Sequence, residues 1–493
     1  MSSPDVFPLF QSLQLKREGG QNLYLQIADF IDKLIEKGTL QVGQKLPGTR
    51  NLANYLGVHR KTVIAAYDEL QEQGRIETKE QVGTFVLPLR SKWREHSLEV
   101  KSNALQISAN GFTFKRSSLL DSPYESHLCT YSINDGQPDY RLTQMDELAR
   151  LYRNSMKRKL INRKLGDQQV EGTDYFKSQL AHYVRVSRGL IFQKEELLLA
   201  KSTEMLLFML AQILVEKEDV VLVGNPSYFS ANMIFQQAGA RLKTISVDKE
   251  GLVVEEIAQQ YKKGEIRMVY LHPRSDYPTT VPLSKERRAL LLRLAEEMDF
   301  IVVEDDSDYE FNYDRPVLPS LLSEDTMGKV IYLGTVGHSL SPTFKTGFLI
   351  SNTKMVEEGE KLLALLDRQK DVIMEQTLGE LIESGEMVRQ WKKSIKVYRD
   401  RRNKLMILLN EHLSDWVDFE IPKNGLAIWL KFKKSISLTQ LARYCQDKSV
   451  FIPRNCLYQN KSLTAIRLGF GHLDIREMES VVVCLHDAVL EQM

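Results

Sequence analysis

The 493 residues carry 66 Lys+Arg against 65 Asp+Glu, a net charge of +1, with 43% hydrophobic and 27% charged residues. That apolar content excludes global disorder, and at about 150 residues per domain the length predicts roughly three structural units. No apolar run reaches the roughly 18 residues of a membrane span, and the neutral sum taken alone argues against a nucleic-acid partner.

The start, MSSPDVFPLFQSLQLKREGG, lacks the basic-then-apolar pattern of a signal peptide, so a cytoplasmic protein without a membrane partner is expected. Leu23, Ile27, Phe30, Ile31, Leu34 and Ile35 then fall on one face of an amphipathic helix. Gly38 suits its end and Pro47-Gly48 marks a turn. A short helix is expected from Arg50 to Leu56, followed by Gly57, and a longer one from Arg60 to Gln73, stopped by Gly74. Residues 75–87 alternate as a two-stranded ribbon with a tight turn near Gln81–Gly83.

That order is the order of a winged helix-turn-helix, so residues 1–87 are predicted to form a DNA-binding head. In such a unit the second helix of the pair enters the major groove. Here it opens with His59-Arg60-Lys61-Thr62. Arg and Lys suit guanine edges and phosphates, and Thr suits a phosphate or a thymine methyl. Val63, Ile64, Tyr67 and Leu70 supply its inward side. Arg50 opens the preceding helix, and Lys79, Gln81, Gly83 and Thr84 sit at the ribbon tip, where the adjacent minor groove would lie. Against this, residues 1–87 hold ten Lys/Arg and ten Asp/Glu, so on charge alone Arg60 and Lys61 read as ordinary surface residues.

Residues 88–126 are rich in Ser, Lys and Arg without a sustained period and read as a linker. Residues 127–493 read as one further region. Strands are expected at Leu197–Ala200, Val220–Val223, Met268–Leu271, Phe300–Val303 and Val330–Leu333, with helical stretches such as Arg287–Glu297 between them. That spacing is what a mostly parallel α/β sheet requires, giving a large lobe at about 165–372. Beyond it, long helices (Thr377–Leu409) and short strands near Ala427–Phe432 and Ala465–Leu468 predict a small α+β lobe at about 373–493. The four cysteines, Cys129, Cys445, Cys456 and Cys484, form no CxxC pair, so neither a zinc site nor a disulfide framework is expected.

The segment QVGQKLPGTRNLANYLGVHRKTVIAAYDELQEQGRIETKEQVGTFV resembles the GntR-type winged helix-turn-helix over about 45 residues. The resemblance places Arg50, Arg60, Lys61, Thr62 and Gly83 at DNA-contacting positions, although Gln81-Val82 departs from the usual wing. Further on, Gly136-Gln137-Pro138-Asp139, Ser187-Arg188-Gly189, Asn225-Pro226-Ser227-Tyr228, Tyr277-Pro278-Thr279, Glu304-Asp305-Asp306, Gly334-Thr335 with Ser339-Leu340 and Pro342, and Ile466-Arg467-Leu468-Gly469-Phe470 follow one another in order. They resemble the fold-type I aminotransferase core of MocR-type regulators, which fuse a GntR head to such a domain. The resemblance spans roughly residues 130–475.

That family's pyridoxal phosphate chemistry needs a lysine for the Schiff base, an aspartate at the pyridine nitrogen and a phosphate cradle at a helix N-terminus. The lysine position is His338, and an imidazole cannot form the internal aldimine. The cradle reads Ala200-Lys201-Ser202-Thr203-Glu204, without its glycine. The ring-oxygen tyrosine is replaced by Ser307, with Tyr309 two residues on as a candidate substitute. Ser275-Asp276 and Thr280 replace further family residues, and Lys345 stands where an Arg commonly helps to hold phosphate. Asp305, Tyr228 and Arg467, the family's substrate-carboxylate arginine, survive.

The resemblance therefore implies a homodimeric regulator that binds double-stranded operator DNA. Its aminotransferase-like domain would sense a small-molecule effector through Tyr228, Asp305, Ser307, Tyr309, His338, Lys345 and Arg467. No covalent pyridoxal phosphate is expected; non-covalent pyridoxal or pyridoxamine phosphate, or another effector, remains open. The competing expectations are an enzyme that holds the vitamer non-covalently with His338 as general base near neutral pH, and a ligand-free DNA-binding scaffold.

Overall fold

The computed structural model describes residues 6–13, 15, 23–72, 74–79, 82–87, 117, 119, 125, 127–143, 145–157, 173–313, 317–340, 344–367 and 371–492. The chain divides into two compact units, with the break between Phe114 and Lys115. The expected linker lies outside the described residues except for Ser117, Leu119 and Glu125, and Gln81 and Pro342 also fall outside them.

In the first unit, helices α1 (Leu23–Glu36), α2 (Thr49–Leu56) and α3 (Arg60–Glu72) precede strands β1 (Ile76–Lys79) and β2 (Gly83–Val86). The apolar residues of α1 recur every three or four positions, so Ile27, Ala28, Ile31 and Ile35 are buried together. Helix α2 ends at Gly57, whose φ of 64° is left-handed backbone that glycine adopts without strain. Leu46, Leu52, Val63, Ala66, Tyr67, Leu70, Ile76 and Val86 complete the core. Ala66 takes an inward place on α3, while Ile64, expected there, is half-buried. The Tyr67 hydroxyl donates to the Pro47 carbonyl at 2.8 Å and ties α3 to the turn before α2. The ribbon is antiparallel, with Ile76 opposite Val86 and Lys79 opposite Gly83.

After strand β3 (Tyr131–Ser132), the second unit is built on an eight-stranded sheet. In chain order its strands are β4 (Leu197–Ala200), β5 (Val220–Asn225), β6 (Arg241–Asp248), β7 (Gly251–Leu252), β8 (Met268–Leu271), β9 (Ile301–Asp306), β10 (Val330–Val336) and β11 (Thr346–Ile350). Across the sheet the order is β4-β11-β10-β9-β8-β5-β6-β7. The run from β10 to β6 is parallel, and β11 and β7 pair antiparallel with their neighbours. Along β5, Val221 and Val223 enter one core with Leu206 and Phe235, whereas Leu222 enters another with Ile245 and Leu291. Both faces are therefore covered, as a parallel sheet requires. The five expected strands are all present. β6 went unrecognised because Arg241, Lys243 and Thr244 interrupt its apolar pattern near the sheet edge.

Strands β12 (Val417–Asp418), β13 (Ala427–Phe432), β14 (Val450–Phe451), β15 (Leu457–Gln459) and β16 (Thr464–Gly469) belong to the small lobe. Four of them form an antiparallel sheet ordered β12-β13-β16-β15. The remaining strand, β14, pairs in parallel with β3, so the segment near residue 131 joins the small lobe, where Ile133 is buried.

The lobes therefore interleave in sequence, which corrects the expected limits of 165–372 and 373–493. Helices α4 (Met145–Met156), α5 (Asp174–Arg188), α6 (Thr203–Leu214) and α7 (Val372–Glu383) all serve the large lobe. Leu378, Leu381 and Ile382 of α7 share a core with Leu148 of α4, Phe176 of α5 and Tyr332 of β10. The physical reason is that α7 must cover an apolar sheet face that lies earlier in the chain. The long helix α8 (Glu386–Leu413) then carries Tyr398, Leu405 and Leu409 into the small-lobe core.

Candidate functional site

On the head, Arg50, His59, Arg60 and Lys61 are exposed and Thr62 is half-buried at the start of α3. The backbone N–H of Lys61 donates to His59 Nδ1 at 3.2 Å, and Arg60 Nε to Thr49 Oγ1 at 3.4 Å, which draws the starts of α2 and α3 together. Lys79 is exposed at the wing, 3.6 Å from Glu77. Thr84 is corrected: it is buried, with its hydroxyl 3.2 Å from that of Thr78, so it braces the ribbon instead of facing outward. Lys45 was missed. Its ammonium lies 6.0 Å from the Phe85 ring centroid, with that of Lys79 at 5.9 Å, so two cations flank the wing. A Cβ on Gly83 would come within 2.4 Å of Lys45 Cε. The signal was the lysine immediately before Leu46-Pro47.

In the second unit the candidate residues gather where the strands end. β9 ends in Glu304-Asp305-Asp306, β8 leads into His272, β10 into His338, and Glu204 lies in the first turn of α6 after β4. Such strand ends are where open α/β sheets form ligand crevices. Ser202 caps α6, its hydroxyl accepting from Met205 N–H at 3.2 Å.

Asp305 is satisfied from within the chain. Tyr270 donates to it at 2.8 Å, the Ser307 N–H at 3.0 Å and the Ser307 hydroxyl at 2.5 Å, and His272 Nε2 lies 3.6 Å away. Ser307 thus turns its hydroxyl inward. Tyr309 does not replace the missing ring-oxygen tyrosine. Its hydroxyl donates to the Ser187 carbonyl and its ring packs 4.3 Å from the Arg188 guanidinium. The cavity beside Asp305 and His272 has about 10 Å³ of free space, enough for roughly one water.

His338 is buried edge-on to Phe311 at 5.2 Å, with neither ring nitrogen in a hydrogen bond of good geometry. Burial, and then the Lys345 charge, hold its pKa down to about 3, against the opposing pull of Glu204 and the Ser307 backbone. That is far below the near-neutral value expected of a general base. Glu204 is pushed up by burial, but the Lys345 charge, its own N–H and the Ser202 and Tyr228 hydroxyls outweigh this and hold it below the usual range. Tyr228 donates to it at 3.1 Å.

Arg467 is buried and already partnered. Its Nε donates to Asp135 Oδ1 at 2.8 Å and its Nη1 to the Pro278 carbonyl at 2.9 Å. Tyr277 donates to Asp135 Oδ2 at 2.9 Å, and its ring lies 4.8 Å from that of Tyr228. Burial raises the Asp135 carboxyl above its usual range, against the opposing pull of the Arg467 charge and of the Tyr277 and Arg467 hydrogen bonds. Asp135 was missed because its partner is more than 300 positions away in the chain.

Residues 23–86 match the family described as "Bacterial regulatory proteins, gntR family", and residues 139–484 match "Aminotransferase class I and II". The chain belongs to the aminotransferase class I and II family. With its gntR-family head the architecture is MocR-type. It is 25% identical to the probable rhizopine catabolism regulatory protein MocR of Rhizobium meliloti, over 97% of this chain and 96% of that one. It is 24% identical to the HTH-type transcriptional regulator TauR of Rhodobacter capsulatus, over 88% and 89%. Among solved structures, an archaeal alanine:glyoxylate aminotransferase superposes with a TM-score of 0.69 at 22% identity, covering 74% of this chain and 91% of that one. A Pyrococcus horikoshii kynurenine aminotransferase, solved with PMP, gives 0.66 at 22%, covering 73% and 91%.

The family fold is thus one that holds a pyridoxal-type cofactor, but the residues in this MocR-type chain do not fit that group. His338 stands at the position that the resemblance gives the Schiff-base lysine, and the Glu204 carboxylate lies in the first turn of α6, the helix whose start that resemblance makes the phosphate cradle. Among the described residues, no cluster of metal-ligating side chains occurs and no helix is long and apolar enough to cross a membrane.

One nearby carboxyl yields a pH test. Burial raises Asp276 to about 7, against the Thr279 hydroxyl at 2.7 Å and the Arg467 charge. The unfolded chain releases this proton near pH 4. Between about pH 4 and 7 the folded state holds a proton that the unfolded state has lost, so stability falls as pH rises through that window. Asp276→Asn keeps an acceptor for Thr279 and removes the slope, roughly 1.4 kcal/mol per pH unit. Denaturant midpoints should show the variant more stable than wild type at pH 8 and equal to it near pH 4. An equal difference at both pH values would refute the assignment, and the paired comparison cancels other buried carboxyls such as Glu304.

Proposed function

We propose that this chain is a DNA-binding transcriptional regulator whose aminotransferase-like domain senses a small molecule without a lysine Schiff base. The observation that carries this reading is the pairing of an exposed cationic α3 start with a buried histidine at the family's lysine position. Residues 1–87 form the head, and Arg50, His59, Arg60, Lys61, Thr62 and Lys79 contact operator DNA with Gly83 at the wing turn. Residues 127–493 form the effector and homodimerisation module and carry no catalysis. The protein acts in the cytoplasm. Dimerisation supplies two half-site contacts to one molecule, which a charge-balanced head requires for affinity. The effector shifts regulation only if it binds two head arrangements with different affinity.

The test has two arms. Purified protein mixed with pyridoxal phosphate and then borohydride should show an unchanged intact mass. A fixed adduct on Lys345 or Lys201 would contradict the absence of a Schiff base. Footprinting upstream of its own gene should show protection by the intact dimer, and no protection at low salt would remove the regulator reading.

A further inference from the structure

The crevice contains two places built to meet an anion: the positive N-terminal end of α6 with Lys345 beside it, and the buried Arg467 guanidinium. Both already hold a carboxylate. At α6, Glu204 takes the Tyr228 hydroxyl, the Ser202 hydroxyl, its own N–H and the Lys345 charge. At Arg467, Asp135 takes the guanidinium through one oxygen and the Tyr277 hydroxyl through the other. The Tyr228 and Tyr277 rings are in contact, so the two positions belong to one crevice.

We propose that Glu204 and Asp135 are internal anions that occupy, from within the chain, the positions a ligand's phosphate and carboxylate would otherwise take.

The backbone fixes both groups there. Glu204 lies in the first turn of a capped twelve-residue helix. Asp135 is held in a turn in which Asn134 Oδ1 accepts from the N–H groups of Gly136 and Gln137 at 2.9 and 3.0 Å. Gly469 N–H donates to the Asn134 carbonyl at 2.9 Å, and a Cβ on Gly469 would lie 2.4 Å from that oxygen. The turn therefore lies flush against β16, two residues beyond Arg467. Pro278 and Tyr277 come from the large lobe and Arg467 from the small one, so the Asp135 cluster also latches the two lobes together. A phosphate, carrying close to two negative charges, would enter beside the ionised Glu204. A free amino acid would have to displace Asp135. For the sensing reading above, on which this last step rests, phosphorylated vitamers and free α-amino acids are excluded as effectors.

The full-length protein tests this directly. Glu204→Gln, nearly the same shape without the charge, should bind inorganic phosphate at least ~10-fold more tightly than wild type by calorimetry. Asp135→Gly should unfold at lower temperature than wild type and recover on addition of acetate but not equal chloride, while wild type shows no response. If this variant folds only in acetate, its refolding yield gives the same answer. Equal affinity of wild type and Glu204→Gln overturns the Glu204 assignment, and an Asp135→Gly variant indifferent to acetate overturns that of Asp135. Neither arm involves DNA, so a failure here with an intact wild-type footprint leaves the regulator reading standing.

Discussion

Arg188→Met should lower the stability of the aminotransferase-like unit by about 3 kcal/mol, read as a shift in the denaturant midpoint of that transition. Arg188 is buried at the end of α5. It donates to the Tyr332 hydroxyl and to the Thr335 carbonyl, both at 2.6 Å. Tyr332 in turn donates to Asp306 at 2.6 Å, and Arg274 donates to the same carboxylate at 2.8 Å. Because Arg274 remains, Asp306 keeps a cation in the variant, which holds the cost below that of stranding a buried charge. What is lost is two charge-assisted hydrogen bonds and the packing of the guanidinium against Tyr309 and Phe348. Gly334 belongs to the same arrangement, since a Cβ there would lie 2.7 Å from Arg188 Nη1. As Thr335 lies on the strand that leads to His338, the variant should also loosen the His338 loop. A midpoint equal to wild type would show that Arg188 is dispensable.

Arg60→Ala and Lys61→Ala should each weaken operator binding by about tenfold at fixed salt, and the double variant by roughly a hundredfold if the contacts act independently. Both side chains are exposed at the start of α3, the end of a recognition helix that approaches base edges. The salt dependence separates their roles. Loss of a phosphate contact should lower the slope of log affinity against log salt by about one, whereas loss of a base contact leaves the slope and relaxes sequence preference. Measurement requires the intact chain on one operator fragment and on a scrambled control. If both variants bind as wild type does, α3 is not the reading element.

The helices of the head were legible because each is amphipathic over two or more turns and is stopped by glycine. Ile27, Ile31 and Ile35 predict their own burial. The parallel strands of the large lobe were legible for a related reason: strands covered on both faces read as short continuous apolar runs, as in Leu197–Ala200. Strand β6, half-exposed and interrupted by Arg241 and Lys243, has no such run and stayed hidden. At the site, His338 and Glu204 could be singled out position by position as departures from the pattern that the resemblance implies. The inward turn of Tyr309 and the burial of Thr84 could not, because residue type does not say which way a side chain points.

Local periodicity and motif order were enough to establish a winged head followed by an aminotransferase core. Both depend on residues only a few positions apart, whose spacing dictates helix, strand and turn chemistry. Only the folded chain reveals that α7 belongs to the large lobe, that β3 completes the small one, and that Arg467 is already paired with Asp135. Those facts depend on distance in space, and a buried arginine takes whichever carboxylate the fold brings beside it, however far off it lies in the chain.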